Sequence, residues 1–274
     1  MFLFSPETFS LPKEVEGENV YIQAGVALNK EKADKQHRTL CRILKAKACP
    51  VNATDLPDIV FAANAGLALP RLPVPVVLLS SMKHKHRQRE TPLFDRAMRE
   101  KGILTVPFPT GAVFEGQGEG MWFLNGKLLV LGYGFRSTRR TLTLLRSVIQ
   151  QVYNHFKVEP PIVIGLKLKS PRFYHIDLVM AKTSERSCAM QWGSVENVQE
   201  LREYIDVRAY RTHDPFLFNL VTLSDKVVTH KLESNKDRAF LESVFGKPVV
   251  EVDVSEFEKS GGSVGCMVFK EHKV

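Results

Sequence analysis

Cys266 stands in the segment Gly261-Gly262-Ser263-Val264-Gly265-Cys266-Met267. The glycines and the serine permit unusual backbone angles around one thiol. The apolar run Met267-Val268-Phe269 behind it predicts a buried strand. Packing alone does not demand so permissive a loop, whereas a nucleophile does, because substrate must come close to the sulfur. The competing reading is a small buried hydrophobe. Phe173-Tyr174-His175-Ile176-Asp177 supplies an imidazole and a carboxylate two positions apart, which on a predicted strand over 173–180 point to the same side. Phe114-Glu115-Gly116-Gln117-Gly118-Glu119-Gly120 supplies a carboxylate beside a glycine run, and Asn64 lies near the end of the apolar stretch 57–66. The bland alternatives are a core histidine with Asp177 on the surface, and a turn glutamate at 115.

These groups point to one chemistry if they converge. A thiol attacks well only when its thiolate is stabilised. Carboxylates do the opposite and raise a thiol pKa, so a thiol among carboxylates makes sense with a planar cationic substrate. A guanidinium accepts paired carboxylate contacts in a fixed fork, and its charge favours the thiolate. Cys266 would attack the guanidinium carbon and His175 would protonate the departing amine. The resulting amidino-cysteine would be released by water or by another amine that His175 activates. Gly116, Gly118 and Gly120 form no dinucleotide-binding motif, and a hairpin rather than a helix follows them.

The elements that must position these residues alternate along the chain. Strands are predicted over 19–28, 57–66, 74–79, 104–108, 161–166, 173–180, 216–223, 227–230 and 249–252. A hairpin turns at Asn125-Gly126, between the apolar runs 121–124 and 127–131. Cys188–Trp192 is a candidate hairpin partner for 173–180. Helices are predicted over 31–47, 91–101, 138–155, 195–204 and 236–244, with Asn29, Thr91 and Ser194 as caps. The recurring unit is a strand pair, a helix and another strand. Each unit carries a polar residue at an apolar strand end: Asn64, Glu115, His175, Asn219 and Cys266, at spacings of 51, 60, 44 and 47 residues. Gln23 marks an incomplete first unit. Such a period suits five modules around one axis; an α/β sandwich with units of similar length is the alternative.

The 274 residues carry a net charge of +8 and 44% hydrophobic content, which suits a single domain over 1–274. The charge permits anionic partners. The densest basic run, Lys83-His84-Lys85-His86-Arg87-Gln88-Arg89, reads as a solvated loop, a phosphate contact or a helper for a substrate carboxylate. Zinc-finger spacing and aromatic-basic motifs are absent, so no nucleic acid is expected. Four cysteines without repeat spacing, no membrane-length apolar run and no signal-like start point to a cytoplasmic protein with free thiols. No metal and no organic cofactor is implied, and a monomer or homodimer is expected.

The ordered set Phe61-Ala62-Ala63-Asn64-Ala65-Gly66, Phe114 to Glu119, Gly132-Tyr133-Gly134-Phe135-Arg136, Phe173 to Asp177 and Gly261 to Cys266 resembles the guanidino-group-modifying enzymes, from about residue 57 to the C-terminus. These include arginine deiminase, dimethylarginine dimethylaminohydrolase, arginine dihydrolase and the amidinotransferases. The resemblance implies the pentein fold, an α/β propeller of five modules with pseudo-fivefold symmetry. It implies Cys266 as nucleophile, His175 as acid and base, and Glu115 and Asp177 as carboxylates facing the guanidinium. Asn64 falls at a position held by aspartate in the deiminases. Arg136 is similar to an arginine that grips the substrate carboxylate, with Arg87 assisting and Asp58 as a further substrate contact. Two positions depart from the pattern: Glu119 stands where aspartate is usual, and Gly265 where arginine or lysine is common. The short chain resembles the dimethylarginine enzyme, which lacks the His-Ile-Asp pattern. The implied activity is hydrolysis of a guanidino C–N bond, with amidinotransfer as the alternative. A non-catalytic ribosome-binding protein of the same fold is the reading from another class.

Overall fold

The computed structural model describes residues 1–11, 19–23, 25–51 and 53–271. The chain begins with β1 (Leu3–Phe4), α1 (Lys30–Leu44) and β2 (Ala48–Cys49), with β1 and β2 parallel. Four longer units follow. The first holds β3 (Gly66–Leu69), β4 (Val76–Leu79), α2 (Lys85–Gln88), α3 (Glu90–Glu100) and β5 (Leu104–Val106). The second holds β6 (Gly120–Phe123), β7 (Leu128–Tyr133), α4 (Arg139–His155) and β8 (Ile162–Lys167). The third holds β9 (Met180–Ser184), β10 (Ser187–Gln191), α5 (Val198–Arg202) and β11 (Asp206–Tyr210). The fourth holds β12 (Val221–Thr222), β13 (Val227–His230), α6 (Asn235–Phe245) and β14 (Val249–Val252), before α7 (Ser255–Glu258).

Each of these four units is its own 3-stranded sheet. An antiparallel pair comes first, and a helical crossover then returns a strand parallel to the middle one. Middle strands are flanked on both sides and buried, which is why β4 and β7 read as nearly continuous apolar runs. The helices are laid down by local signals. The Asn29 side chain caps α1, Thr138 and Thr141 form a capping box on α4, and the Ser234 hydroxyl caps α6. One face of α4, including Leu145, Ile149 and Tyr153, is buried against β7 and β8. The β6–β7 hairpin turns through left-handed Asn125 and Gly126, as the Asn-Gly signal predicts.

The small β1–β2 sheet is completed by the far end of the chain. Phe269 forms an antiparallel bridge with Phe2, exchanging backbone hydrogen bonds of 2.9 Å in both directions. Phe2, Phe4, Phe94 and Phe269 pack edge to face around this junction. At about 2 kcal/mol for each buried ring, their burial is the main adhesive there.

Several expected strands give way to turns. Residues 19–23 and 25–28 are irregular, and residue 24 lies outside the described residues. The stretch 57–66 is turn and a single 3-10 turn, Ala62–Ala65, with the strand starting at Gly66. Residues 173–180 hold two such turns, Pro171–Phe173 and Ile176–Leu178, before β9. Residues 215–218 and 264–267 are turns as well. Apart from 19–28, where Val20 and Val26 are exposed, these segments are apolar because they are buried in the core, not because they are strands. The helix expected at 195–204 is shorter, with Asn197 at its N-cap position, and the Ser194 hydroxyl donates instead to the Gln191 carbonyl at 2.7 Å. The helix expected at 91–101 starts at Glu90, so Thr91 lies inside it and its hydroxyl donates to the Ser80 carbonyl at 3.4 Å. The strand β11 was not anticipated; its mixed, half-exposed residues give a weak alternating signal.

Candidate active site

Asn64, Glu115, His175, Asn219 and Cys266 occupy equivalent places. Each lies on or beside the tight turn that leads into the next sheet, rather than at a strand end. The turns pack together: the Ala63 amide donates to the Cys266 carbonyl at 3.0 Å, and the Gly265 amide to the Asn219 carbonyl at 3.1 Å. Gly118 shows how close they come. A Cβ there would lie 2.3 Å from Asn64 Nδ2 and 3.1 Å from His175 Nδ1. That glycine therefore makes room for two side chains of the site, not for a ligand.

A cavity of about 440 Å³ is lined by Cys266, His175, Asn64, Asp58, Arg87 and Arg136, together with Tyr174, His84, His86 and backbone of the 260–262 loop. Cys266 is held by Asn219, whose Oδ1 accepts from the Cys266 amide at 3.0 Å and whose Nδ2 lies 3.1 Å from the sulfur. The thiol donates to Asp177 Oδ2 at 3.5 Å, and Asn219 Nδ2 donates to the same oxygen at 3.0 Å. Burial, and then the Asp177 charge, push the thiol well above its ordinary pKa. Burial also raises the Asp177 carboxyl. The unliganded site therefore keeps the sulfur protonated. Among the described residues, the buried atoms Asn64 Nδ2 and Asp177 Oδ1 have no hydrogen-bond partner.

His175 and Asp177 were expected to share a side of one strand. The intervening turn sends them apart: Asp177 faces the thiol and His175 faces Glu115. Glu115 is also placed differently from expectation. It is fully buried behind the histidine and does not line the cavity. Its Oε2 lies 2.7 Å from His175 Nε2 and accepts from Arg136 Nη1 at 2.9 Å, while Oε1 accepts from the Lys83 amide at 3.0 Å. Burial pushes this carboxyl up, but the Arg136 charge and then the His175 bond outweigh burial and hold it well below the usual range. Arg136 lines the cavity, stacks 4.9 Å over the Tyr174 ring and is anchored on Glu115. Glu119 lies deeper, accepting from the amides of Glu115 and Ser137, each at 2.7 Å. Burial raises its carboxyl to about 7.

The basic run 83–89 is not a solvated loop throughout. Arg87 is 6% exposed and donates to Glu90 and, at 3.0 Å, to Asn64 Oδ1. Asp58 Oδ2 lies 3.0 Å from His86 Nε2, and its Oδ1 accepts from Ser260 at 3.1 Å. Burial acts against ionisation of Asp58, but the His86 bond and the Arg87 charge prevail and lower its pKa. Sequence reasoning missed Glu90 and Tyr174. The i, i+3 spacing of Arg87 and Glu90 on one helix was the available signal for the first. Among the described residues, no cluster of three or more His, Cys, Asp and Glu is arranged for a metal, and no helix is long and apolar enough to cross a membrane. All four cysteines are free.

No protein-family model matches the chain. An uncharacterised Caenorhabditis elegans protein is 31% identical over 256 residues, covering 90% of this chain and 86% of that one. The bifunctional arginine dihydrolase/ornithine cyclodeaminase AgrE of Nostoc sp. is 30% identical over 252 residues. The N(G),N(G)-dimethylarginine dimethylaminohydrolase of Mycobacterium tuberculosis is 27% identical over 240 residues, covering 86% of this chain and 73% of that one. The solved N-terminal domain of ArgZ, a cyanobacterial arginine dihydrolase, bound to substrate, superposes with a TM-score of 0.81 at 26% identity and covers 97% of this chain and 95% of that domain. A pentein α/β fold and a site of this composition define a class, and the relatives agree with it. The chain belongs to the guanidino-group-modifying enzyme superfamily. It spans about a third of the length of the bifunctional cyanobacterial proteins, 34% of AgrE and 30% of ArgZ.

Proposed function

We propose that the protein hydrolyses a C–N bond of a guanidino compound, arginine or a methylated arginine, through a covalent amidino-cysteine. The observation that carries this reading is the convergence of Cys266, His175, Asn64, Asp58, Arg87 and Arg136 on one cavity, with an Asp177 oxygen against the sulfur. The five units then act as blades around one axis, residues 1–274 act as a single catalytic domain, and the tight turns between blades form the catalytic centre.

In this reading the guanidinium enters over Cys266. One N–H donates to Asp177 Oδ1, which has no donor among the described residues. The arriving positive charge lowers the thiol pKa and the thiol gives up its proton to solvent, so the site is switched on by its own substrate. The thiolate adds to the guanidinium carbon. Imidazolium at His175, sustained by Glu115, protonates the leaving nitrogen as the C–N bond breaks. Water then adds to the amidino carbon, giving a proton to His175, and the C–S bond breaks to return the thiolate and a ureido product. Glu115 acts through His175 and fixes Arg136. Arg87 orients Asn64 and, with Arg136 and Asp58, meets the amino-acid end of the substrate.

The test is incubation with arginine, agmatine, dimethylarginine and canavanine, followed by assays for ureido product and released amine. Turnover of at least one is expected, with none remaining in Cys266→Ser. A serine variant as fast as the parent would remove the mechanism.

A further inference from the structure

A second cavity, of about 320 Å³, lies behind the nucleophile and shares no lining residue with the first. The two are separated by the site's own turns. Ala63 lines the rear cavity and Asn64 the front; Asp177 the rear and His175 the front; Gly265 the rear and Cys266 the front. In three of the turns the partition is thus one or two residues thick. At its thinnest it is the amide of Asn219, which touches both the sulfur at 3.1 Å and Asp177 Oδ2 at 3.0 Å. Asn219 borders the rear cavity, as do the half-buried Thr183 and Thr222, the exposed Ser184, and Lys270, whose charge bears on Asp177.

We propose that this rear cavity is a passage for the small reactants of the proposed hydrolysis, water inward and ammonia or a small amine outward. The inference rests on the guanidino reading. Its basis is a traffic problem. When the C–N bond breaks, the carbon is bound to Cys266 and the rest of the substrate still fills the front cavity. The leaving nitrogen has taken its proton from His175 and departs neutral. A water must then reach the same carbon and give a proton to His175, before the C–S bond breaks and the ureido product frees the front. Asp177 stands at the seam. Its Oδ2 is held by Asn219 and the thiol, and its Oδ1 is buried without a partner among the described residues. An N–H or O–H donor satisfies that oxygen, first on the bound guanidinium and then on ammonia or water crossing the partition. Ala63, Gly120 and Gly265 present only short side chains on the rear side.

The passage is tested by filling it from positions outside the catalytic machinery. Thr222→Trp on β12 and Thr183→Trp on β9 each place an indole in the rear cavity. Three quantities are read on folded protein of matched thermal midpoint: the rate at which chloroacetamidine labels Cys266 from the front, steady-state turnover of the best guanidino substrate, and the fraction of Cys266 carrying an amidino adduct by mass spectrometry of quenched reactions. The expected result is labelling within about twofold of the parent, turnover lower by about tenfold or more, and adduct accumulating on the thiol. Turnover within about twofold of the parent in both variants, or labelling lost in step with turnover, overturns the passage. If the parent itself turns over no guanidino compound and shows no preference for the cationic reagent over iodoacetamide, the guanidino reading falls, and the passage with it.

Discussion

Replacing Glu115 by glutamine tests the buried charge pair on which the site is built. The carboxylate is fully buried and receives Arg136 Nη1 at 2.9 and 3.2 Å, the Lys83 amide at 3.0 Å and His175 Nε2 at 2.7 Å. Glutamine keeps the shape and one carbonyl oxygen but removes the charge. The Arg136 side chain, 5% exposed, then loses the Glu115 charge, and the amide nitrogen meets a donor on one side. Removing one member of a buried pair costs roughly 3–5 kcal/mol, mostly from the charge left behind. Urea unfolding of Glu115→Gln should show a loss of that order. The double variant Glu115→Leu/Arg136→Met, which removes both charges, should recover most of it. Activity should not recover in either. Without the carboxylate the imidazolium loses its support, and acid–base catalysis worth roughly 10²–10⁴-fold goes with it. A Glu115→Gln protein within about 1 kcal/mol of the parent would refute the charge-pair argument, since a loss that small is ordinary for any substitution.

Glu90 is raised by burial from 4.5 to about 7, so the folded state keeps a proton that the unfolded chain releases. Stability from this group therefore falls as pH rises from about 4.5 and levels off above about 7, by up to roughly 3 kcal/mol. Glu90→Gln should flatten that part of the stability–pH curve, read by thermal melts; an unchanged slope would rule the group out as its source. Asn219→Ala removes the amide that holds the Cys266 backbone, the sulfur and Asp177 together; kcat should drop by roughly tenfold or more with a folded core, and an unaltered kcat would count against its role. Gly118→Ala puts a methyl 2.3 Å from Asn64 Nδ2 and should displace Asn64 and His175, slowing chloroacetamidine labelling of Cys266 while far-UV circular dichroism stays the same. Parent-like labelling would mean the turns can yield.

The repeating unit was legible because it is written in local signals: capped amphipathic helices, an Asn-Gly hairpin and apolar middle strands. The polar positions at a period near fifty residues were legible because one tight turn recurs before each sheet. Their backbone form was not, since a buried turn and a buried strand are both short apolar runs. That error carried into the site. A strand would have put His175 and Asp177 on one side; the turn gives them different partners. Glu115 was visible as a carboxylate among glycines, but whether it faced substrate or histidine depended on packing against a segment sixty residues away. Asn219 was noticed only for its place in the repeat, and Arg87 was named through the resemblance, its burial being hidden in a run of hydrophilic residues.

The bridge between Phe2 and Phe269 makes the sheet beneath the nucleophile a composite of residues from opposite ends of the fold. The other sheets can form from neighbours in the chain as it is synthesised. This one waits for Phe269. The turn that carries Cys266 is thus tied into the fold late in the chain's history, when Phe269 reaches Phe2.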